Sequence, residues 1–513
     1  MFDMLIQGFG IVFAPNMLVM VAFATVLGVF FGALPGISAT MAVALGIPFT
    51  FHMTAIESIV FLVAIFCGSV TGGGLPAILF KIPGVPSSAP TTYDGYPLAQ
   101  SGKAGKALGT QLVSSAIGGI IAAIVMLFLA RPLTALAISF GPAELFAVAL
   151  LGLSILSSLE RDNVCRTLIS GLLGLLLACI GMDPLHGWER MTFGISGLRG
   201  GMEMIPIMIG LFAITEVLKQ TQGKGKNIDT KDRPKMGKTE FPTIRELVSL
   251  KFTLARASAI GCIIGILPGA GATIAAFMAY SVEQKVSKTP EKFGTGCLEG
   301  IAAPESANSA SAGCSMVPLL TMGIPGGPAG AIMLSAMVLK GVSVGPMLLV
   351  NQPEYLSATF VAMLFTSITM VFAAMLLAKF FVLFLRIPYA YLGPMIIMMA
   401  TIGSFATKNS AVDVMVMAVA GLIGFIFIAC KFSVSALILG LVLGRIIESN
   451  LRRAFIIAPG EGLLDTAWNV FSIRLVVAPI PLTALLILTC MVVLLSPVLK
   501  PAIMKVLKGK SAQ

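Results

Sequence analysis

Long apolar segments follow one another along nearly the whole chain, and short polar stretches separate them. The segments 108–130, 356–378 and 475–499 contain no charged residue. Each is long enough to cross the hydrocarbon core of a membrane, which takes about 20 residues in a helix. With further apolar segments, the pattern predicts an all-α polytopic membrane protein with about 10–12 transmembrane helices, including broken or re-entrant segments. The further segments lie near 17–34, 58–80, 134–159, 164–182, 203–218, 253–282, 305–350, 394–407 and 412–444.

Composition supports the membrane interpretation. Hydrophobic residues make up 57% of the chain, charged residues 11%, and the mean hydropathy is +0.98. These values exclude a soluble two-domain enzyme. The first thirteen residues carry Asp3 and no lysine or arginine, so we do not expect a cleaved signal peptide.

The chain contains an internal duplication. Residues 28–42 return as residues 261–275 with eight identical positions and no gap. A second set of residues recurs downstream in the same order, with the distance between copies changing from 233 to 242 residues. That set is Pro76, Ile82, Pro83, Gly84 and Pro86, repeated as Pro318, Ile324, Pro325, Gly326 and Pro328. Repeated Pro-Gly breaks in apolar sequence indicate a binding site near the middle of the membrane.

Charge predicts the domain organisation and the orientation. We expect a first membrane repeat at 1–218, a basic linker at 219–252, a second repeat at 253–499 and a basic tail at 500–513. The net charge of +11 lies mainly in loops and tail, which argues against nucleic acid as a partner and places linker and C-terminus in the cytoplasm. Residues 1–80 contain no lysine or arginine, so the N-terminus is free to lie outside and the repeats would be inverted. A parallel duplication, with an even number of spans in each half, is the alternative.

Small and polar residues within apolar sequence are the candidate substrate ligands. The glycine-rich segment 68–76 and its counterpart 304–313 are expected to form helix breaks or hairpin tips, since glycine and proline destabilise a helix interior by about 1 and 3 kcal/mol. Free backbone N–H groups, hydroxyls and a helix N-terminus suit a carboxylate. Close helix packing through small residues is the alternative. The predicted substrate-binding residues are Ser69, Thr71, Gly72, Gly73, Ser306, Asn308, Ser309 and Ser311.

A second group of residues is the candidate cation site. The duplicated Leu-Pro-Gly breaks offer carbonyl and hydroxyl oxygens to a hard cation, although a kink for packing would explain them equally. Glu305 is an acid in a small-residue segment, so it marks a cavity or an ion path unless it lies at a loop edge. Glu57, Glu144 and Asp413 are weaker candidates because each can lie at a helix end. The predicted cation-binding residues are Pro35, Gly36, Thr40, Pro268, Gly269, Thr273 and Glu305.

No resident cofactor or metal is expected beyond a transported Na⁺ or H⁺. The eight cysteines and the histidines His52 and His186 show no metal-ligand spacing. An intramembrane enzyme is the alternative of another class. It would need a nucleophile with a base or a metal set, and the sequence shows neither a Ser/His/Asp arrangement nor an HExxH motif.

The motifs together resemble those of a known family. The segments 32–51, 82–109, 265–313 and 319–349, including DGYP at 94–97 and PESAN at 304–308, are similar to the large membrane subunit of the bacterial tripartite tricarboxylate transporters. The resemblance implies a secondary carrier of carboxylates in the bacterial inner membrane, driven by an ion gradient. It also implies two partners, a periplasmic solute-binding protein and a small integral membrane subunit.

The chain departs from the family pattern at two places. It has Gly72-Gly73-Gly74-Leu75-Pro76 where the family tends to have a glycine pair followed by Ser and Thr, and Asn308-Ser309 where paired asparagines are common. The substrate therefore need not be citrate. The expected mechanism is alternating access, with the broken segments 66–90 and 304–330 facing each other around the substrate. A stand-alone ion-coupled anion carrier or antiporter is the alternative within the same class.

Overall fold

The computed structural model describes residues 2–34, 37–159, 164–183, 187–222, 240–267, 271–384, 389–457 and 486–491. These residues are almost entirely helical, with one two-residue antiparallel ladder of β1 (Gly181–Met182) and β2 (Glu189–Arg190). The helices are α1 (Phe2–Val12), α2 (Pro15–Ala33), α3 (Ala39–Thr50), α4 (Ala55–Gly72), α5 (Gly74–Phe80), α6 (Thr91–Leu98), α7 (Ala104–Ile138), α8 (Pro142–Leu159), α9 (Val164–Ala178), α10 (Met204–Ile209), α11 (Thr215–Gln222), α12 (Ile244–Ser249), α13 (Lys251–Ile266), α14 (Gly271–Val286), α15 (Leu298–Cys314), α16 (Met316–Met322), α17 (Pro328–Leu339), α18 (Leu348–Asn351), α19 (Pro353–Phe384), α20 (Tyr389–Ala406), α21 (Ala411–Ala429) and α22 (Val434–Ile457).

The predicted fold class is confirmed. Within the described residues, seven helical stretches are long and apolar enough to cross a membrane, and five shorter apolar helices accompany them. Short helices that follow one another, such as α4 and α5, form single stretches of this kind. The chain is therefore an all-α, multi-pass membrane protein.

Contacts divide the chain into two compact units that do not coincide with the two sequence repeats. The first unit takes residues 1–132 and 205–425, and the second takes 133–204 and 426–513. Each unit draws on both halves of the chain. The repeat boundaries expected from the sequence stay a prediction.

In the second unit, α9 packs along α22, and α8 also packs on α22. Ion pairs fix the β1–β2 hairpin to the same helix: Arg190 lies 2.7 Å from Glu448, and Arg452 lies 2.9 Å from Asp183. Trp188, just before β2, and Phe193, just after it, are mostly exposed.

In the first unit, the duplicated glycines bring helices into backbone contact. A Cβ on Gly32 would lie 1.9 Å from the Ser69 carbonyl oxygen, and a Cβ on Gly265 would lie 2.4 Å from that of Ser311. One turn earlier, Gly28 and Gly261 meet α4 and α15 in the same way. Helix α2 therefore packs on α4 as α13 packs on α15, and the duplication seen in the sequence is a duplication of structure.

The two glycine- and serine-rich segments are helical over most of their length. Helix α4 runs to Gly72, and the chain is interrupted only at Gly73 before α5 begins. The segment 304–313 lies wholly inside α15, and the matching interruption falls at Ser315. The break expected in 68–76 is found at the single residue Gly73. The break expected in 304–313 is wrong, because the interruption at Ser315 lies outside that segment, and the expectation of hairpin tips is wrong for both. Small side chains let each helix lie directly against its partner, which offsets their low helix propensity.

The short helices after the two interruptions end alike. Lys81 closes α5 in the left-handed conformation with φ of 57°, and Gly323 closes α16 with φ of 72°. In each half, the amide of the following isoleucine donates to the carbonyl of the duplicated proline, Pro76 or Pro318. The same turn is thus built with lysine in one half, where this conformation is strained, and with glycine in the other.

The halves exchange contacts with each other. Helix α3 of the first half packs on α17 of the second, while α14 of the second half packs on the turn at 86–88 that leads into α6 of the first. Helix α3 is the sequence equivalent of α14. Helix α17 comes after the interruption at Ser315, as the segment 86–98 comes after the interruption at Gly73. Neither half completes its own packing within the first unit.

Candidate functional site

The second-half helix α15 carries the densest group of buried polar side chains in the described first unit. Glu305, Ser306, Asn308 and Ser311 are each at most 1% exposed, and Ser309 is 7% exposed. Because small residues surround them, the backbones of neighbouring helices approach closely. The carbonyl of Ser306 lies against Gly118 of α7, where a Cβ would meet the oxygen at 2.2 Å.

Glu305 is bonded by neutral donors from the first half. Its Oε1 accepts a hydrogen bond from the Thr91 hydroxyl at 2.6 Å. Its Oε2 accepts from the Ser115 hydroxyl at 3.0 Å and from Gln111 Nε2 at 3.2 Å. Among the described residues, no lysine, arginine or histidine forms an ion pair with it. A fully buried carboxylate is costly unless something compensates its charge, so Glu305 is the strongest candidate among the described residues for a functional position.

Gln111 connects this carboxylate to the interruption in the first half. Its Nε2 also donates to the Thr71 carbonyl at 2.9 Å, and its side chain lies against Gly74, the first residue of α5. Asn308 makes the neighbouring link, with Nδ2 3.5 Å from the Val70 carbonyl. Two amide side chains thus reach consecutive carbonyls near the end of α4.

Several buried oxygens around these links have no hydrogen-bond partner in the described structure. They are Ser88 Oγ, Gln111 Oε1, Asn308 Oδ1, Ser309 Oγ and Ser311 Oγ. Ser88 lies beside Gly73, at the interruption. Ser309 lines a small cavity of about 10 Å³, which is about the room needed for one water molecule. Unpaired buried polar atoms cost free energy, so their concentration here indicates a place where a ligand or water binds.

Helix α6 holds the start of α15. Asp94 is fully buried, and its Oδ1 accepts from the backbone amides of Gly294, Gly296 and Cys297 at 2.9–3.0 Å. Its Oδ2 accepts from the Tyr280 hydroxyl at 2.9 Å. Donors of the second half therefore satisfy an acid of the first, next to the N-terminus of α15, where negative charge is favourable.

The structure brings the predicted substrate residues to one region. Ser69, Thr71 and Gly72 lie at the end of α4, Gly73 is the interruption, and α4 contacts α15. Not every hydroxyl is free for a ligand, however. Ser69 donates to the Phe66 carbonyl, Ser306 is bonded to Ser258 at 2.7 Å, and the Thr71 hydroxyl lies 3.1 Å from the sulfur of Met370. Their role in substrate binding stays a prediction.

The structure brings fewer of the predicted cation-binding residues together. Thr40 and Thr273 are half-buried in the first turns of α3 and α14, at equivalent positions in the two halves. The hydrogen bonds to Glu305 come from other residues. Pro35, Gly36, Pro268 and Gly269 lie outside the described residues.

The weaker acidic candidates lie at helix starts, as their alternative predicted. Glu57 forms a capping box with Thr54 at the start of α4. Glu144 accepts from the Gly141 amide, and Asp413 lies in the first turn of α21. Glu305, by contrast, lies inside a helix and not at a loop edge.

The sequence analysis did not assign roles to Thr91, Asp94, Gln111 and Ser115. Two signals were present. Asp94 belongs to the DGYP motif, and Gln111 and Ser115 are polar residues four apart in the uncharged apolar segment 108–130, so they share one face of a membrane helix. Thr91 carries no comparable signal, because a threonine at the start of a helix is ordinary.

The fold and the site define a class of protein: a multi-pass membrane protein with an internal duplication and a buried polar centre between its halves. Residues 18–439 match the family described as the tripartite tricarboxylate transporter TctA family. The chain belongs to this family.

Two relatives from Agrobacterium vitis are similar along much of their length. One, named as an uncharacterized 52.8 kDa protein of the TAR-I ttuC' 3' region, is 36% identical over 457 residues, which is 89% of this chain and 90% of the relative. The other, an uncharacterized protein of the TAR-II ttuC' 3' region, is 40% identical over 201 residues, 39% of this chain and 83% of the relative. No solved structure gives a significant match.

Family membership makes the chain the large membrane subunit of a tricarboxylate transporter system. It agrees with the expectation that the chain is a carrier and not an enzyme. Within the described part of the chain, no group of three or more His, Cys, Asp or Glu side chains is placed to hold a metal ion.

Proposed function

We propose that this chain is the permease of a binding-protein-dependent secondary transporter that imports carboxylates together with cations, Na⁺ or H⁺. The observation that carries the proposal is the buried polar face of α15. It is packed between elements of both halves, and its acid is bonded to first-half residues only through neutral groups. Secondary carriers built from repeats typically bind substrate and coupling ions at the interface between the repeats, near the middle of the membrane.

Cation coupling follows from the cost of moving an anion into a negative interior. Each charge costs about 2.3 kcal/mol against 100 mV, so a dianion costs roughly 4.6 kcal/mol and a trianion roughly 7 kcal/mol. At least two monovalent cations per dianion would cancel this charge. Glu305 is a place where one of them can be held, because its own charge has no cationic partner among the described residues.

The partners follow from the family. A periplasmic solute-binding protein would deliver the substrate, and a small integral membrane subunit would complete the carrier in the bacterial inner membrane. The basic linker and the basic C-terminal segment would lie in the cytoplasm.

Uptake into proteoliposomes tests the proposal. Labelled di- and tricarboxylates are offered to vesicles that contain this chain and its small partner, with and without the binding protein and with inward Na⁺ or H⁺ gradients. We expect uptake of at least one carboxylate that requires both the binding protein and a cation gradient. Asn308→Ala should lower that uptake, whereas Thr110→Val should not, because the Thr110 hydroxyl only donates to the Lys106 carbonyl of its own helix.

The outcomes separate the alternatives. Uptake that is indifferent to the binding protein would make the chain a stand-alone ion-coupled carrier. Uptake that persists after both ion gradients are collapsed would reject cation coupling. Absence of any carboxylate exchange with all components present would reject the transport proposal itself.

A further inference from the structure

The surroundings of Glu305 restrict which cation its carboxylate can take. Three neutral groups bond it directly: two hydroxyls and one amide. The two hydroxyl oxygens lie only 2.6 and 3.0 Å from the carboxylate oxygens, which are direct hydrogen-bond distances. A hard metal cation of the size of Ca²⁺ lies about 2.3–2.6 Å from each of several oxygens and would have to push these groups apart. A proton needs no such space.

The hydroxyls are also suited to both charge states of a carboxyl group. A hydroxyl can donate or accept, so Thr91 and Ser115 both donate to an ionised Glu305, and the one that faces the protonated oxygen can turn to accept from its O–H. Gln111 keeps its second bond to the Thr71 carbonyl in either case. The carboxyl group can therefore gain and lose a proton without losing its contacts with Thr91, Ser115 and Gln111 Nε2.

From this geometry we infer that Glu305 is the proton-carrying group of the transporter, with Thr91, Ser115 and Gln111 as its shell. One proton adds to a carboxylate oxygen from one side of the membrane and leaves to the other side, and only this O–H bond forms and breaks. The inference rests on the proposed function and names H⁺ as a coupled ion. Thr91 begins α6, whose Asp94 holds the start of α15, so the charge of Glu305 acts on a helix that joins the two halves.

Other titratable groups near α15 already have partners in the described structure. Asp94 on α6 is bonded to backbone amides and to Tyr280 of α14. Arg256 on α13 pairs with Glu283 on α14 at 2.7 Å, and Glu299 at the start of α15 accepts from Ser287. Lys106 at the start of α7 pairs with Glu246. Cys67 on α4 and Cys262 on α13 are the nearby thiols, and none of these side chains bonds Glu305.

Infrared difference spectroscopy of the full chain in lipid nanodiscs tests the inference without any substrate. The pH is changed between roughly 5 and 9, a range that includes the values documented for buried glutamates, and the C=O stretching band of a protonated carboxylic acid is followed. We expect a buried carboxylic acid band in the wild type that is absent in Glu305→Gln. It should remain in the control Glu299→Gln, which removes another acid of the same helix. Thr91→Val should shift the frequency of the band and the pH at which it appears, while Thr92→Val should not.

Two results would overturn the inference: a wild-type spectrum without a band that depends on Glu305, or a band that Na⁺ removes at constant pH. If Glu305→Gln does not fold, two measurements still test the inference. They are the comparison of Thr91→Val with Thr92→Val and the Na⁺ titration of the wild type. Transport adds a separate readout with labelled citrate and labelled succinate. Glu305→Gln should lose at least tenfold in pH-driven accumulation but keep exchange at equal pH. Absence of wild-type transport would reject the proposed function and leave the infrared result standing.

Discussion

Helices α4 and α15 occupy equivalent places in the two halves, yet they carry different chemistry. Both lie against duplicated glycines, and both end at a single-residue interruption followed by a short helix. Where α15 has Glu305 and Asn308, however, the equivalent positions of α4 hold Val63 and Phe66. The duplication has kept the backbone packing and concentrated the polar chemistry in the second half. Packing and function can thus be tested separately by changing matched residues in the two halves.

The largest effect is expected where the halves are alike. Gly32→Ala and Gly265→Ala should each destabilise the protein by about 3 kcal/mol or more, because the new methyl group would overlap a backbone carbonyl that cannot move aside. Thermal unfolding in detergent micelles measures the loss. Gly10→Ala is the control, since nothing lies within 4 Å of a Cβ at that position. Tolerance of alanine at only one of the two sites would break the structural equivalence.

Two contacts between the halves, one made by Asp94 and one by Lys340, should differ in how much they contribute to the free energy of unfolding. Asp94→Ala leaves three backbone amides without an acceptor and should cost roughly 3 kcal/mol or more. Lys340→Met removes two bonds, to the carbonyls of Phe51 and Met53, from a half-buried side chain and should cost about 1 kcal/mol. Unfolding midpoints of the two variants test the difference. Equal losses would show that the two contacts are energetically alike and that the asymmetry is confined to α15.

Matched serines separate stability from transport. The Ser311 hydroxyl is buried without a partner, so Ser311→Ala should stabilise the protein by up to about 1 kcal/mol while lowering carboxylate uptake. Ser69 is the equivalent residue and its hydroxyl is bonded, so Ser69→Ala should slightly destabilise the protein. Unfolding and uptake are measured on the same preparations. A Ser311→Ala variant with lower stability and normal uptake would argue that this serine serves packing alone.

The smallest effect concerns the described end of the linker, which packs on a first-half helix. The Lys106 ammonium, together with the Thr243 amide, lowers the pKa of Glu246 from 4.5 to about 2. A carboxylate with a lowered pKa stabilises its contact above the unfolded value and loses this as pH falls. Protection of residues 243–250 from hydrogen exchange should therefore decrease between about pH 4.5 and pH 2. In Glu246→Gln, protection at those residues should be weaker and change less over this range.

The fold class and the duplication could be predicted because they depend on local properties of the sequence. Apolar length gives the spans, and a repeated Leu-Pro-Gly pattern gives the equivalence of α2 with α13 and of α3 with α14. Glu305 could be selected because an acid in a small-residue membrane segment is rare. The helical state of 68–72 could not, since glycine propensity argues against it. Contact with α2 across about 40 residues decides the conformation.

The shell of Glu305 was beyond sequence reasoning for a similar reason. Thr91 and Gln111 lie 214 and 194 residues from the acid in the chain, and only the exchange of helices between the halves brings them together. Thr40 and Thr273, the two threonines predicted to bind the cation, lie at equivalent positions as the repeat implies, and their cation binding stays a prediction. Equivalence within a repeat says which positions are alike, but not which of them meet across the halves.

The bonds of Asp94 also bear on how the protein is made. The acid lies 200 residues before Gly294. At about 5–20 residues per second, the ribosome therefore needs roughly 10–40 s to synthesise the backbone amides that donate to Asp94. During that interval the Asp94 carboxylate lacks the second-half donors that it has in the folded protein, and the turn at 86–88 lacks α14, which packs on it. Insertion of the early helices must therefore remain provisional until α14 and α15 arrive. A first half expressed alone should be unstable in the membrane and recover only when the second half is supplied beside it.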